Sequence, residues 1–198
     1  MMTKLLIATT NKGKISEIKE LLNGTNYEVL SLADAGIDID IEENGSTFEE
    51  NSLIKARAIH AITGGMVVAD DSGIEIDFLN GAPGIYSARF LGDMEYIRRN
   101  KGIVAFLEGI PDQYRTCRFR CVASLVTDTE AISFHGTIEG KIAYKPEGEN
   151  GFGYDPIFYL SEYKKTMAQI DSDTKNRISH RSMAFKLLAE KLRARNAS

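Results

Sequence analysis

Apolar and polar positions fall into blocks that change period along the chain. "KLLIAT" (4–9) is a short apolar run and predicts a buried strand. It leads into "TNKGKISEIKELLNG", where Ile15, Ile18, Leu21 and Leu22 share one helical face and Gly24 marks a stop. "YEVLSL" (27–32) predicts a second strand. Thr47 stands three residues before Glu50, a capping-box pattern, and predicts a helix running to about Ile62. "GGMVVAD" predicts a third strand, "IEIDFL" a fourth, and "NGAPGIYS" a loop.

Residues 94–108 predict a further helix. "RTCRFRCVASLVTD" (115–128) and "EAISFHGTIEG" (130–140) alternate apolar and polar residues over unusual length and predict a long antiparallel hairpin. "PEGENGFGYDPIFYL" predicts a Gly-rich loop entering a short strand. The end of the chain predicts an amphipathic helix with Ala184, Leu187, Leu188 and Leu192 on one side. Helices alternating with strands, followed by a hairpin, define a mixed α/β class.

Composition narrows the functions open to this fold. A chain of 198 residues suffices for one well-buried domain, and its 43% hydrophobic and 26% charged content is that of a soluble globular protein. A formal charge of -4 argues against a nucleic-acid polymer held by a broad basic face, but not against a nucleotide held by a few cations. No apolar run approaches the ~20 residues that span a bilayer, and the N-terminus lacks a signal-peptide pattern. The expectation is a cytoplasmic protein without membrane or nucleic-acid partners. Cys117 and Cys121 are too far apart for a comfortable disulfide and lack a second Cys or His pair for zinc, so they are expected as reduced, half-buried core thiols.

Five stretches carry candidate chemistry. "TTNKGK" (9–14) joins the first strand to the first helix, where free backbone N–H groups and a positive helix end suit an anion. It is not a Walker A loop, because Ala8 stands where the first glycine belongs and Ile15 replaces the Ser or Thr. A capped helix with solvated lysines fits the same residues. Asp70 and Asp71 end the predicted third strand, where open α/β sheets place ligands. Neighbours on a strand face opposite ways, which leaves one Asp for a site and the other to support the backbone. An Asp-rich turn accounts for the pair equally well.

In "IEENGSTFEEN" (41–51), Glu49 and Glu50 are explained by the helix N-terminus, whereas Glu42 and Glu43 are not. Hard divalent ions take such carboxylates together with substrate phosphates. "GFGYDP" (151–156) fails as a dinucleotide fingerprint, because Pro156 replaces the third glycine. Its two glycines flank Phe152, a ring suited to stacking on a base or to tucking into the core. In "KNRISHRSMA", His180 and Arg181 fall in the first turn of the last helix, a mismatch with its dipole unless an electron-rich group lies between them. His60 and His135 read as ordinary helix and strand residues.

"TTNKGKISEI", "TFEENSLIKA", "ADDSG", "GAPGIYSARF", "GFGYDPIF" and "SHRSMA" occur in the order seen in the inosine/xanthosine triphosphate pyrophosphatases, and the chain resembles that family from residue 4 to about 190. The resemblance implies an elongated mixed β-sheet with flanking helices, forming two lobes around a central cleft within one nucleoside-triphosphate pyrophosphatase domain (1–198). It implies a homodimer dependent on Mg²⁺. The activity would be hydrolysis of ITP, dITP, XTP and dXTP to monophosphate and pyrophosphate, by water attack on the α-phosphorus. It also assigns roles. Asp71 resembles the general base, and Glu42 with Asp71 the metal site. Thr9, Thr10, Asn11, Lys12, Gly13, Lys14 and Ser72 resemble phosphate contacts. Phe152, Gly153, Tyr154, Asp155, Lys175, His180 and Arg181 resemble base and substrate contacts, with Lys55 and Arg89 as further candidates for the phosphate tail.

Overall fold

A computed structural model describes residues 2–196. Its strands are β1 (Thr3–Ile7), β2 (Tyr27–Ser31), β3 (Met66–Ile76), β4 (Thr116–Val126), β5 (Ala131–Ile142), β6 (Phe158–Leu160) and β7 (Lys165–Thr166). Its helices are α1 (Lys12–Leu21), α2 (Phe48–Thr63), α3 (Tyr96–Phe106), α4 (Ser172–Ile178) and α5 (His180–Asn196). The strands form one mixed sheet in the order β2-β1-β3-β4-β5-β6-β7. β1 is parallel to β2 and β3, while β5, β6 and β7 pair antiparallel. The expected hairpin is present: Ser124 Oγ lies 2.9 Å from Ser133 Oγ, and Thr127 N–H donates to Glu130 O across the turn. The α/β class read from the sequence is therefore what the chain adopts.

Of the described residues, 2–71, 121–136 and 181–196 form one compact unit, and 72–120 with 137–180 form a second. In the first unit the strand period of two builds a core on each sheet face. Leu5, Ile7 and Val68 pack with Ile18 and Leu22 of α1 and with Ala184, Phe185, Leu188 and Leu192 of α5. Leu6, Ala8, Val67 and Ala69 pack with Ala56 and Ile59 of α2. Strands buried on both faces read as continuous apolar runs, as "LLIA" and "VVA" do. In the second unit, Ile74, Ile76, Cys117 and Phe119 gather with Ile103 and Leu107 of α3 and with Ile157, Phe158 and Met167.

Four expectations change. The predicted third and fourth strands are one strand, β3, which continues through Asp70, Asp71, Ser72 and Gly73. Cationic side chains on both faces offset the charge of the acids, so the ladder need not stop there. Helix α4 was not foreseen; its seven residues carry no apolar stripe, and it starts where Asp171 Oδ1 accepts from Thr174 N–H at 2.8 Å. On α5, Leu187 is 47% exposed, because the buried stripe runs Ala184–Leu188–Leu192 at steps of four with Phe185 and Ala189 beside it. Both cysteines are free and fully buried rather than half-buried, Cys117 in the second unit's core and Cys121 in the first's. No helix among the described residues is long and apolar enough to cross a membrane.

Candidate functional site

The parity of β3 decides where its two acids point. Asp70 shares the face of Val68, toward α1 and α5. Its Oδ2 lies 3.0 Å from Lys14 Nζ of α1 and 3.3 Å from Arg181 Nη2 of α5, with the Cys121 thiol at 3.9 Å. Arg181 also reaches Glu17 Oε2 at 2.6 Å. Asp71 shares the face of Val67 and Ala69, toward α2. There its Oδ1 lies 3.2 Å from Lys55 Nζ, and its Oδ2 accepts from Asn51 Nδ2 at 3.3 Å. Lys55 Nζ simultaneously contacts Glu43 Oε2 at 2.8 Å.

The electrostatics of the two acids diverge accordingly. Burial pushes the Asp70 carboxyl up, but Lys14, Arg181 and Lys55 outweigh it and hold the group below the usual carboxylate range. Burial also pushes Asp71 up. Lys55 and Lys14 oppose this, Glu43 and Asp70 add to it, and the net direction is upward. For Lys55, burial favours the neutral amine, but Asp71, Asp70 and Glu43 prevail and keep it an ammonium. One acid is thus a firmly ionised anchor, and its neighbour is a carboxylate of raised basicity.

The segment Thr9 to Lys14 lies at the β1–α1 junction. Ala8 N–H donates to Val68 O at 2.7 Å, which ties the end of β1 to β3. Asn11 caps α1 by accepting from Lys14 N–H at 3.1 Å, and Thr9 Oγ1 accepts from Asn11 N–H at 3.3 Å. Thr10, Asn11 and Lys12 are exposed, and Gly13 and Lys14 half-buried. The first-turn N–H groups of a helix lack intrahelical acceptors, so this end suits an anion.

The donor set beside α2 fits a hard divalent cation. Glu43 and Asp71 offer carboxylate oxygens and already share one positive charge, that of Lys55. Among the described residues no group of three or more His, Cys, Asp or Glu is gathered to hold a metal. A cation here would take its remaining oxygens from substrate and water, as Mg²⁺ habitually does. Glu42 is exposed, whereas Glu43 is the acid on the Lys55 side.

In the second unit, the Gly-rich loop and α4 meet. Lys175 Nζ of α4 pairs with Asp155 Oδ2 at 2.6 Å and lies 4.9 Å from the centroid of the Phe152 ring. Asp155 Oδ2 also accepts from Phe152 N–H at 2.8 Å. Gly151 has φ +73°, and a Cβ there would stand 2.0 Å from Asp155 Oδ2, so the loop closes only over glycine. Asn100 Nδ2 of α3 donates to Gly153 O at 3.0 Å, and Tyr154 Oη donates to Ser87 O at 2.6 Å. The Phe119 ring stacks on His180, centroids 4.7 Å apart and planes 15° apart. Ser72 is half-buried on β3. Arg89 lies over the Tyr86 ring at 5.0 Å.

The structure therefore gathers Lys14, Asp70 and Arg181 in one cluster, Glu43, Lys55 and Asp71 in a second, and Phe152, Asp155 and Lys175 in a third. Asn51 and Glu17 were absent from the sequence-derived candidates. A signal for Asn51 was present: with Phe48, Ser52, Lys55, Ala56 and Ile59 it falls on the buried stripe of α2, where an amide demands partners.

Residues 5–191 match the Ham1 family. The chain belongs to that family. The dITP/XTP pyrophosphatase of Bacillus subtilis (strain 168) is 46% identical over 196 residues, 98% of this chain and 99% of that protein. The Ham1 protein of Staphylococcus aureus superposes with a TM-score of 0.87 at 41% identity, over 97% of this chain and 99% of that one. A dITP/XTP pyrophosphatase structure from Mycobacterium abscessus gives a TM-score of 0.74 at 39% identity, covering 93% and 98%. The family resemblance carried by the six sequence segments thus holds along nearly the whole Ham1 chain.

Proposed function

We propose that this Ham1-family protein hydrolyses ITP, dITP, XTP and dXTP to the monophosphate and pyrophosphate, clearing deaminated purines from the nucleotide pool of the cytoplasm. The observation that carries the reading is the opposed setting of Asp70 and Asp71. A triphosphate needs fixed cations at its phosphates and a basic group beside the attacking water. Lys14, held by Asp70, and the helix end at Thr9–Lys14 supply the first; Ser72 adds a hydroxyl. Asp71, whose proton affinity is raised by burial, supplies the second. Relatives that span nearly the whole chain and are named dITP/XTP pyrophosphatase support the substrate class.

Mg²⁺ would be held by Asp71 with one carboxylate of the Glu42–Glu43 pair, and the geometry favours Glu43. When bound, it neutralises phosphate charge and favours attack at phosphorus. Asp71 orients the water and takes its proton as the water oxygen bonds to the α-phosphorus and the bond to the pyrophosphate oxygen breaks. Lys55 stays charged and offsets the two acids beside it. Phe152 offers a ring face to the base, with Gly153, Tyr154 and Asp155 shaping its loop and Lys175 anchoring it. His180, braced on Phe119, donates to the oxygen at purine C6. Adenine presents an amino group there, and an unmet buried donor costs about 1–3 kcal/mol. Arg181 already serves Glu17 and Asp70, so its main work is to hold that cluster.

The homodimer implied by the family resemblance is part of this reading, and light scattering tests it. The deciding experiment is a hydrolysis panel of ITP, dITP and XTP against ATP and GTP, with and without Mg²⁺. Pyrophosphate is the expected first product; orthophosphate released first, or binding without turnover, refutes the reading.

A further inference from the structure

We infer that Asn51 is a positioning residue that locks the Asp71 carboxylate to the loop carrying Glu43; this rests on the role proposed for Asp71. The Asn51 side chain sits on the buried stripe of α2 and is 1% exposed. Burying an amide is costly unless both of its ends are met. Here both are: Oδ1 accepts from Gly45 N–H at 2.8 Å, and Nδ2 donates to Asp71 Oδ2 at 3.3 Å. The orientation is forced. Gly45 N–H can only donate and an ionised Asp71 can only accept, so a flipped amide would lose both bonds.

Lys55 lies one turn further along α2 and makes a parallel bridge, from Glu43 to Asp71 Oδ1. Each oxygen of Asp71 is thereby held by a different residue of one helix face, and the loop is fixed at two points. The two bridges differ in kind. The Lys55 bridge is ionic, and another cation arriving between the carboxylates competes with it. The Asn51 bridge is neutral and persists. It keeps Asp71 in one rotamer and the loop at one distance while the charge between the two acids changes. Gly45 reports how closely the loop is drawn in: a Cβ there would stand 2.7 Å from Asn51 Oδ1 and 2.7 Å from Glu50 Cβ.

Three variants test this: Asn51→Ala, Asn51→Asp and Gly45→Ala. Asn51→Asp keeps the acceptor for Gly45 and, when ionised, sets a second carboxylate against Asp71 Oδ2 in place of the donor. Each is assayed for pyrophosphate release from ITP, for thermal melting, and for Mn²⁺ affinity by electron paramagnetic resonance with α,β-methylene-ITP present. For all three, kcat should fall about 10–100-fold with KM for ITP within about threefold. Mn²⁺ affinity should fall about tenfold in Asn51→Ala and Gly45→Ala, and their double variant should lose little more than either alone. Gly45→Ala leaves the Asn51 amide in place and adds no buried charge, which keeps the test valid if the Asn51 variants fold poorly. Wild-type kcat or unchanged Mn²⁺ affinity in a folded Asn51→Ala or Gly45→Ala overturns the inference. A wild-type protein that releases no pyrophosphate from ITP refutes the reading under Proposed function instead, while the Mn²⁺ titration still decides the role of Asn51.

Discussion

Lys14 Nζ stands 3.0 Å from Asp70 Oδ2, so the lysine of the β1–α1 junction is braced by a carboxylate with 0% exposure. Bracing fixes where the ammonium points, and it makes Asp70 a determinant of both stability and substrate affinity. Asp70→Asn removes the counter-charge that Lys14 and Arg181 share. Breaking one side of a buried ion pair costs about 3–5 kcal/mol, and the variant should melt well below wild type at neutral pH.

The pH dependence of that loss has a definite sign. The Asp70 carboxyl is depressed in the fold and titrates near ~3.9 in an unfolded chain. Its contribution is complete above the unfolded value and is lost as pH falls toward and through the native one. Thermal melts from neutral to acid pH should show a shallower acid limb in Asp70→Asn than in wild type. Identical slopes would mean that Asp70 is not the depressed group.

Asp71→Asn should behave in the opposite way. Its single amide oxygen keeps an acceptor for one of Asn51 and Lys55, which bind different oxygens of Asp71, and Glu43 still pairs with Lys55; it cannot take a proton from water, so it should fold while kcat falls about 10²–10⁴-fold. Near-wild-type turnover, measured as pyrophosphate release, would remove Asp71 from the mechanism.

His180→Ala and Arg181→Ala separate base reading from scaffolding. His180→Ala should narrow the ITP-to-ATP ratio of kcat/KM about tenfold, the equivalent of one lost donor. Arg181→Ala should mainly lower the melting temperature, because its guanidinium is 2% exposed and engaged by Glu17 and Asp70. A folded Arg181→Ala enzyme with collapsed discrimination would show that Arg181 reads the base after all.

Chelation should stop turnover without unfolding the protein, since its cores are built from apolar side chains. Activity lost in EDTA and regained with excess Mg²⁺, at constant circular dichroism, is the expected result. Full activity in EDTA would exclude the proposed ion.

Gly151→Ala tests the Gly-rich loop. The added methyl meets Asp155 Oδ2 and Lys175 Nζ at a backbone angle that suits glycine. KM for ITP should rise about tenfold, with a stability loss of more than about 1 kcal/mol. An unchanged KM would detach this loop from substrate binding.

Most of the fold was legible because its elements bury a face with the right period. Ile15 and Ile18, Thr47 before Phe48, and the alternation through Phe119 and Cys121 each announced an element that formed. The Asp70–Gly73 segment misled, since acids and a glycine within an apolar run resemble a break. Partners on α1, α2 and α5 compensate them, and tertiary contacts of that kind leave no local pattern. Helix α4 was too short to show a period. The family resemblance named most candidate residues, but which acid faces which cation depends on strand parity, and parity is readable only once β3 is known to be continuous. The buried stripe of α2 marked Asn51 but not its partners, because Gly45 and Asp71 lie on different segments.

The two thiols have a practical consequence. Burial pushes both Cys117 and Cys121 well above the ordinary thiol range, so neither forms a reactive thiolate in the native fold. Cys117 belongs to one unit and Cys121 to the other. Labelling with a maleimide therefore clocks transient opening, and single-cysteine versions would time each unit's breathing separately from built-in sensors.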